Sequence, residues 1–353
     1  MGKLACVIPA AGWGSVCPVR SSPKVLETTG DELMIQRIIR IVLEAGIEDQ
    51  LAVVVGNNGY GAQIRKALEP FECRGLRIVE QAGRYGAADA VRCALPELGD
   101  AADVLVTFGD MPLWRPDTLR RLAKAHLNDG DAAISMVTLR LRPGHSTERY
   151  GRIARDERGA ILAAFEPSEL AGRMLSGAAT VNPSLYVFKR KWLAQNLSHI
   201  PPVDKGDGHP PELHLPKLLL IAHDQGAKIL EVPLEDASEA LGVNTSEELD
   251  EVRAVIRTRE VAMTELRPLE WDDDMERILQ FVRQWRAEYG VGIGSPMGPD
   301  QFLWADEGAG FLLFSALPRD PEFEGWCWQQ VRADAFLRLQ LLWRIEHNPQ
   351  PVV

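Results

Sequence analysis

The sequence has no long apolar run and no block of basic residues. No apolar stretch approaches the ~20 residues that a membrane-spanning helix requires, so we expect no membrane association. With 39 Lys and Arg against 50 Asp and Glu, the formal net charge is −11. A protein that binds the nucleic-acid backbone needs a compensating basic patch. The sequence contains no such block, and we therefore expect no nucleic-acid partner.

Cysteine is scarce, and the sequence lacks repeats and low-complexity tracts. The five cysteines are scattered, odd in number and without the spacing of a metal site. The start of the chain leads from Met1 into only about five apolar residues, too few for the core of a secretory signal. These features predict a reduced, cytoplasmic protein without structural disulfides.

Length and composition predict two domains. The chain has 353 residues, which is more than one ordinary core carries. Of these residues 46% are apolar and 25% are charged, as in a globular protein. We predict a first domain over residues 1–260 and a second over 261–353. Six of the nine Trp lie between Trp271 and Trp343, and two stretches there have a helical pattern. The second domain is therefore predicted to be small, mostly helical and Trp-rich, with a role that the sequence does not define.

Apolar β-branched runs alternate with amphipathic stretches over the first ~130 residues, as in β-α-β units. This pattern predicts an α/β fold with a mainly parallel central sheet and helices on both faces. The first helix is predicted over Asp31 to Gly46. Ligands of such sheets bind beyond the carboxyl ends of the strands. Four residues that follow strands should therefore meet at one edge: Gly12, Gly56, Gln81 and Asp110.

The pattern changes from Ala132 onward, where short strand-like runs are separated by turns. We interpret this part as an inserted or appended sheet region that closes over the first half. The helix predicted over Ser246 to Arg259 begins with a capping signal, Thr245 or Ser246 followed by Glu248.

The first loop, Val7 to Ser15, joins a predicted strand to small residues and glycines. Such a turn lets backbone N–H groups approach a phosphate, and Lys24 follows at loop distance. A dinucleotide-binding turn is one alternative, but Cys17 and Pro18 stand where its third glycine would open a helix. A glycine-rich turn without a ligand is the other.

Asp110 is the strongest single candidate for a functional residue. It follows the apolar run Val104 to Phe108, at the predicted ligand-binding edge. Mg²⁺ typically takes one or two protein carboxylates together with phosphate oxygens, so a lone Asp suffices. An Asp in an ordinary turn is the alternative.

Gln81 ends the third predicted strand, and Tyr85 to Ala90 opens the next helix with small residues. An amide can both donate to and accept from the edge of a nucleobase. Small residues at a helix N-terminus permit a ligand to approach closely. A tight helix start beside a surface Gln explains the same residues without a ligand.

In order, these stretches resemble the uridylyltransferase domain of bacterial N-acetylglucosamine-1-phosphate uridylyltransferases, within the sugar-phosphate nucleotidyltransferase family. The likeness runs from Leu4 to about Arg253. No single element is specific, but their order and spacing are. The elements are Ala10 to Gly14, Pro23 to Leu26, Gln81 with Tyr85 and Gly86, Gly109 to Leu113, Tyr150 to Ile153, Glu166, Asn182, Glu212 and Gly242 to Asn244.

The resemblance implies a Rossmann-like nucleotidyltransferase fold of GT-A type and an enzyme that uses UTP, a sugar 1-phosphate and Mg²⁺. It implies that UTP is held by Ala10, Ala11, Gly12, Gly14, Gln81, Gly86 and Ala87. It implies that the sugar phosphate is held by Gly151, Glu166 and Asn182. Asp110 and Asn244 would bind Mg²⁺, and Lys24 would stabilise the phosphates in the transition state.

Three departures from the family pattern bear on activity. Ser15-Val16-Cys17 replaces Thr-Arg-Met, so the arginine that contacts the triphosphate is missing and Arg20 is the candidate to replace it. Gly86-Ala87 replaces Gly-Thr, which removes a hydroxyl. The left-handed β-helix acetyltransferase domain is not found, so neither bifunctionality nor trimerisation through a β-helix is expected.

Two hypotheses from different classes follow. The first is an active enzyme that transfers UMP from UTP to a sugar 1-phosphate, with N-acetylglucosamine 1-phosphate as the expected acceptor. The second is a nucleotide-sugar-binding regulator or scaffold with weakened catalysis, whose Trp-rich tail presents a surface to a protein partner or to a second copy. A Rossmann dehydrogenase fits poorly, because Gly56-Asn57 stands where an acidic residue would bind the ribose.

Overall fold

The computed structural model describes residues 4–12, 23–47, 50–72, 75–83, 85–141, 149–166, 169, 180–204 and 210–264. The chain divides into two compact units, Met1–Ile256 and Arg257–Val353. The predicted Trp-rich domain over 261–353 lies almost wholly outside the described residues. Its helical character and the predicted boundary at residue 260 therefore stay predictions.

Strands and helices alternate through the first half of the described chain. The strands are β1 (Leu4–Pro9), β2 (Thr28–Thr29), β3 (Glu32–Leu33), β4 (Leu51–Gly56), β5 (Leu76–Gln81), β6 (Asp103–Val106), β7 (Ile134–Arg140), β8 (Gly151–Arg155), β9 (Ile161–Phe165), β10 (Thr180–Asn182), β11 (Tyr186–Lys189) and β12 (Ile229–Pro233). The α-helices are α1 (Met34–Glu44), α2 (Gly59–Glu72), α3 (Ala87–Ala94), α4 (Pro116–Asp129), α5 (Arg190–Asn196), α6 (Lys217–Asp224) and α7 (Ser246–Thr264). In the described part of the chain, no helix is long and apolar enough to cross a membrane.

Four strands form the parallel half of the central sheet, in the order β5, β4, β1, β6. Alternate side chains of β1 enter two different cores. Cys6 and Ile8 pack with residues of α1, α2 and α4 on one face of the sheet. Ala5 and Val7 pack with residues of α3, α5 and α6 on the other. Because both faces are covered, the strands are apolar on both sides, as their sequences predict.

The second half of the sheet is largely antiparallel. β11 lies beside β6 and β7, and β10, β8 and β9 extend the sheet from β7. β12 returns parallel to β7. The fold is thus a Rossmann-like α/β sheet with flanking helices, and the prediction of this fold class is confirmed.

A bulge separates β10 from β11. Between the Val181–Leu139 pair and the Tyr186–Met136 pair, the segment from β10 to β11 advances five residues while β7 advances three. Ser184 lies within the bulge with a φ of 63°, in the left-handed region that non-glycine residues rarely adopt. Asn182 ends β10 immediately before this bulge.

Helix α1 is shorter than the helix predicted over Asp31 to Gly46. The two residues Glu32–Leu33 pair with Thr28–Thr29 as a small antiparallel ladder, so helical structure begins only at Met34. The side chain of Gln36 accepts the N–H of Leu33 at 3.3 Å and closes this N-terminus. Gly46, with a φ of 81°, follows the last turn.

Candidate functional site

The Asp110 loop lies directly beyond the carboxyl end of β6. It is tied to β1 by the N–H of Gly109, which donates to the carbonyl of Pro9 at 3.2 Å. The Cβ of any other residue at position 109 would lie 3.2 Å from Val25 and 3.4 Å from Ala10, so glycine allows the loop to pack closely. The carboxylate of Asp110 remains partly exposed at the predicted ligand-binding edge.

Lys24 contacts the Asp110 carboxylate. It opens a short 3₁₀ turn, Lys24–Leu26, that is anchored by the buried side chain of Val25. Its Nζ atom lies 2.6 Å from Oδ2 of Asp110 and 2.9 Å from Oδ1 of Asn244. The structure therefore brings together the predicted catalytic lysine and both predicted metal ligands.

Asn244 is held in place by the N-terminal cap of α7. The carboxylate of Glu248 accepts the N–H groups of Asn244 at 2.6 Å and Thr245 at 3.1 Å, while the hydroxyl of Thr245 accepts the N–H of Glu248. This is the capping box that the sequence predicts. The N–H of Val243 also donates to the carbonyl of Asp110 at 2.9 Å, which ties the two loops together.

The donor set at this point fits a hard divalent cation. A carboxylate oxygen of Asp110 and an amide oxygen of Asn244 both contact one ammonium group, so the two oxygens lie within reach of a single cation. Mg²⁺ prefers oxygen ligands and often takes only one or two from the protein. No group of three or more His, Cys, Asp or Glu side chains that could hold a metal occurs among the described residues. A metal here would therefore take its other ligands from substrate and water.

Asp110 lies between two cavities. The larger has a volume of about 310 Å³ and is lined by Pro9, Ala10, Ala11, Gly12, Lys24, Val25, Gln81, Gly86, Ala87, Ala90, Phe108, Asp110 and Glu212. The smaller has a volume of about 100 Å³ and is lined by Asp110, Met111, Arg149, Tyr150, Gly151, Glu166, Asn182, Pro183, Ser184, Ala240, Gly242, Asn244 and Glu248. The residues predicted for the nucleotide and those predicted for the sugar phosphate are thus separated, and they meet at Asp110.

Gln81 is nearly completely buried on the wall of the larger cavity, at the end of β5. Its Nε2 atom donates to the carbonyl of Gly86 at 3.2 Å and to Oδ2 of Asp89 at 2.6 Å. Asp89, in the first turn of α3, also pairs with Arg92. Sequence reasoning identified Gln81 but not its partner Asp89, which lies inside a stretch of small residues that predicted only a tight helix start.

Gly86 has a structural role beside the cavity. Its φ is 84°, and a Cβ at this position would lie 2.7 Å from the carbonyl oxygen and 2.8 Å from the nitrogen of Leu213. The segment that carries Glu212 into the larger cavity therefore packs directly on Gly86. The sequence predicted a close approach at this glycine by a ligand, whereas the described contact is with the chain itself.

The smaller cavity contains a fixed amide. Asn182 is buried, donates from Nδ2 to the hydroxyl of Tyr186 at 2.6 Å, and accepts the N–H of Ser184 on Oδ1 at 3.1 Å. Burial raises the pKa of the Tyr186 hydroxyl well above its usual value, so Tyr186 stays protonated. Gly151 lies opposite, with Oε1 of Glu166 only 3.4 Å from where its Cβ would be.

Arg149 and Glu248 line the smaller cavity, and sequence reasoning assigned neither to a ligand site. The guanidinium of Arg149 pairs with Glu248 at 3.5 Å and with Glu251 at 2.5 Å, which links the start of the Tyr150 loop to helix α7. The acidic partners hold the pKa of Arg149 above its ordinary value, so it carries a charge at any physiological pH. Glu248 was recognised only as a helix cap.

Two predicted residues, Gly14 and Arg20, lie outside the described residues, so their placement in the site stays a prediction. Of the first loop, Ala10 and Ala11 are buried and Gly12 is exposed at the cavity wall. All the other predicted site residues line one of the two cavities.

Comparison with known proteins defines the family. Residues 6–211 match the model of the MobA-like NTP transferase domain, which is more than half of the chain. The chain belongs to this nucleotidyltransferase family. The match includes every described residue that lines the larger cavity except Glu212.

Curated relatives include proteins named bifunctional protein GlmU. That of Pelobacter propionicus is 30% identical over 262 residues, covering 73% of this chain and 53% of the relative. That of Caldicellulosiruptor saccharolyticus is 30% identical over 249 residues, covering 70% of this chain and 50% of the relative. The chain thus spans about half the length of these relatives. The resemblance to a sugar-phosphate nucleotidyltransferase is confirmed.

Solved structures with the same fold include two nucleotide-handling proteins. The CMP:2-keto-3-deoxy-manno-octonic acid synthetase complexed with CTP has a TM-score of 0.55 at 18% identity, covering 73% of this chain and 99% of that one. A structure assigned as a Bacillus anthracis glucose-1-phosphate thymidylyltransferase has a TM-score of 0.56 at 17% identity, covering 72% and 95%. At such identities the likeness shows the fold alone.

Proposed function

We propose that this nucleotidyltransferase transfers UMP from UTP to N-acetylglucosamine 1-phosphate and releases pyrophosphate. The observation that carries the proposal is the contact of Lys24 with both Asp110 and Asn244, where the two cavities meet. The choice of UTP and of the acetylated amino sugar rests on the resemblance to the uridylyltransferases. The relatives named GlmU support it.

The larger cavity is proposed to hold the nucleotide and the smaller one the sugar phosphate. A volume of about 310 Å³ lies in the range of small-molecule sites. Part of its lining, Pro9 to Gly12, consists of small residues that would let a triphosphate approach the chain closely, while Gln81, elsewhere in the lining, would contact the base. In the smaller cavity, Asn182, Glu166 and Arg149 offer hydrogen bonds and charge to a sugar phosphate.

The geometry suits an in-line transfer that needs no general base. The attacking oxygen of a sugar phosphate already carries negative charge, so positioning and charge neutralisation supply the catalysis. Lys24 lies between the cavities, where the α-phosphate of the nucleotide would meet the sugar phosphate, and its ammonium would neutralise the developing charge. Mg²⁺ held by Asp110 and Asn244 would replace the Lys24 ammonium on these two oxygens and would supply further charge neutralisation at the phosphates.

The test is release of pyrophosphate by the full chain with Mg²⁺, UTP and N-acetylglucosamine 1-phosphate. A panel of other nucleoside triphosphates and sugar 1-phosphates gives the specificity. We expect turnover with UTP and the acetylated amino sugar to exceed that with every other pair. Absence of turnover with all pairs would contradict the proposal. If calorimetry then showed that UTP or a UDP-sugar still binds, the regulator hypothesis would replace it.

The role of residues 261–353 is a separate proposal. We retain the prediction that this Trp-rich region serves a protein partner or self-association, and that the protein acts in the cytoplasm. Light scattering of the full chain at several concentrations, with and without UTP, gives the oligomeric state. A monomer under all these conditions would contradict self-association.

A further inference from the structure

The amide of Gln81 is held in one orientation on the wall of the larger cavity. Its Nε2 atom has two hydrogens, and two acceptors face it: Oδ2 of Asp89 at 2.6 Å and the carbonyl of Gly86 at 3.2 Å. A carboxylate paired with a guanidinium and a backbone carbonyl can both only accept. Rotation of the amide by 180° would place its oxygen against two other oxygens. The orientation therefore follows from the chemistry of the neighbours.

Asp89 is the group that sets this orientation. It is 2% exposed, it lies in the first turn of α3, and the guanidinium of Arg92 balances its charge. Burying a carboxylate is costly unless it is paired and hydrogen-bonded, and Asp89 receives both the ion pair and the N–H of Gln81. A simple helix start does not require an acidic side chain at this buried position.

Because both amide hydrogens are engaged, Gln81 has only its carbonyl oxygen to offer in the cavity. The Oε1 atom has no hydrogen-bond donor among the described residues, and the side chain lines the larger cavity. An acceptor at this point favours a base that presents an N–H. Uracil, thymine and guanine carry a hydrogen on the ring nitrogen of their pairing edge, whereas cytosine and adenine present a lone pair there.

Building on the proposed function, we propose that Asp89 is a positioning residue that fixes the Gln81 amide with its oxygen toward the nucleotide, so that the cavity selects bases with a ring N–H and rejects CTP. Asp89 acts through Gln81 and does not itself contact the base. When the Gln81 oxygen faces the lone pair of the cytosine ring nitrogen without water between them, neither acceptor receives a hydrogen bond. Such a mismatch strongly disfavours the binding of CTP.

The test compares the binding of UTP and CTP, with Mg²⁺, to the full chain and to the variant Asp89→Asn. We expect the full chain to bind UTP at least about tenfold more tightly than CTP. An asparagine at 89 offers both a donor and an acceptor, so only the longer contact with the Gly86 carbonyl, at 3.2 Å, still opposes rotation of the Gln81 amide. The ratio of the affinity for UTP to the affinity for CTP should then fall about tenfold, toward equal affinity. Because each ratio comes from one protein, loss of stability alone does not change it.

Arg92→Gln is the matched control. It removes the exposed partner of the same carboxylate and leaves the contact between Asp89 and Gln81 in place, so the ratio should stay that of the parent chain. Asp89→Glu retains an acceptor and should rescue part of the preference. The ratio of kcat/KM for UTP and CTP, measured by pyrophosphate release, should follow the binding ratio in each protein.

A nucleotide analogue tests the same inference without substitution. UTP methylated at N3 has no ring N–H, and we expect it to bind at least about tenfold more weakly than UTP. Equal binding of UTP and CTP by the parent chain, or an unchanged ratio in a folded Asp89→Asn variant, would overturn the inference but leave nucleotidyl transfer intact. Binding of no nucleoside triphosphate at all would instead overturn the proposed function.

Discussion

The Nζ atom of Lys24 lies 2.6 Å from Oδ2 of Asp110, although 86 positions separate the two residues in the chain. Each is partly exposed, with 17% and 27% of the side-chain surface accessible. An ion pair with this exposure contributes little to stability. Its place at the junction of two cavities is consistent with the role that we propose for it in chemistry.

Asp110→Asn should impair turnover far more than stability. The amide keeps the shape of the side chain but removes the charge that a cation and Lys24 share, so kcat/KM should fall at least about 10²-fold. The melting temperature should change little. The measurement is pyrophosphate release at saturating Mg²⁺, alongside thermal unfolding. Asp117→Asn, at a highly exposed carboxylate on α4, is the matched control and should keep full activity.

Glu248→Ala should weaken the apparent affinity of the enzyme for Mg²⁺. Glu248 accepts the N–H groups of Asn244 and Thr245, so its loss frees the loop that carries Asn244. The loss of this cap should lower the free energy of unfolding by about 0.5–2 kcal/mol. The concentration of Mg²⁺ needed for half-maximal rate should rise. Glu247→Ala removes an exposed carboxylate of the same helical turn, and an equal shift in that variant would argue against a specific role for Glu248.

Much of this site could be predicted because it follows the carboxyl ends of strands. Asp110 follows strand β6 after a short turn and Gln81 ends strand β5, and parallel strands bring their carboxyl ends to one edge. Lys24 and Asn244 could not be placed by that rule. Their contact depends on a 3₁₀ turn and on a helix cap 220 positions apart, and the resemblance to a family rather than any local pattern brought them together.

The roles of Asp89 and Arg149 could not be predicted. No sequence pattern pairs Asp89 with Gln81, and the partners of Arg149 are distant in the chain. Asp89 is an acidic residue in the first turn of a helix, a position that the helix dipole alone explains. Arg149 precedes a strand, and its partners lie on α7, about 100 residues later. Only the folded structure shows that these charges face the cavities or the groups that line them.

Gly86→Ala should destabilise the protein more than Gly159→Ala. Both glycines have a positive φ, 84° and 83°, and Gly86 also has a ψ of 177°, in a backbone region essentially restricted to glycine, so the substitution there adds a strain of about 1–3 kcal/mol. At Gly86 the new Cβ would also lie 2.7 Å from the Leu213 carbonyl, whereas nothing lies within 4 Å at Gly159. Urea unfolding of both variants measures the combined cost of the backbone strain and of the contact with Leu213 at Gly86. Equal losses in the two variants would contradict this prediction.

Asp103 should contribute to stability in a pH-dependent way. Burial alone would raise the pKa of its carboxyl, but hydrogen bonds from His126 and Lys189 outweigh burial and hold the pKa below its ordinary value. Ser135 completes this group through His126. The three side chains of Asp103, His126 and Ser135 are buried, so the group has no access to substrate.

A depressed pKa in the folded state stabilises that state above the unfolded pKa of about 3.9, and this contribution is lost as the pH falls through the folded pKa. Asp103→Asn should therefore lower the free energy of unfolding at neutral pH by about 1–3 kcal/mol. The difference in the free energy of unfolding between the variant and the parent chain should become smaller below about pH 4. Urea unfolding at a series of pH values measures it. Asp31→Asn, at an exposed turn, is the control for the substitution itself.

Gly151→Ala should affect the sugar phosphate and spare the nucleotide. The new Cβ would lie 3.4 Å from Oε1 of Glu166 and 3.5 Å from the carbonyl of Phe165, which are ordinary van der Waals distances, so the fold should be retained. The methyl group would, however, occupy part of a cavity of only about 100 Å³. KM for the sugar 1-phosphate should rise about tenfold, the effect of one methylene in a tight pocket.

Binding of UTP to the same variant is the internal control, because Gly151 does not line the larger cavity. A loss of UTP affinity, with an unchanged KM for the sugar phosphate, would reverse the proposed assignment of the two cavities.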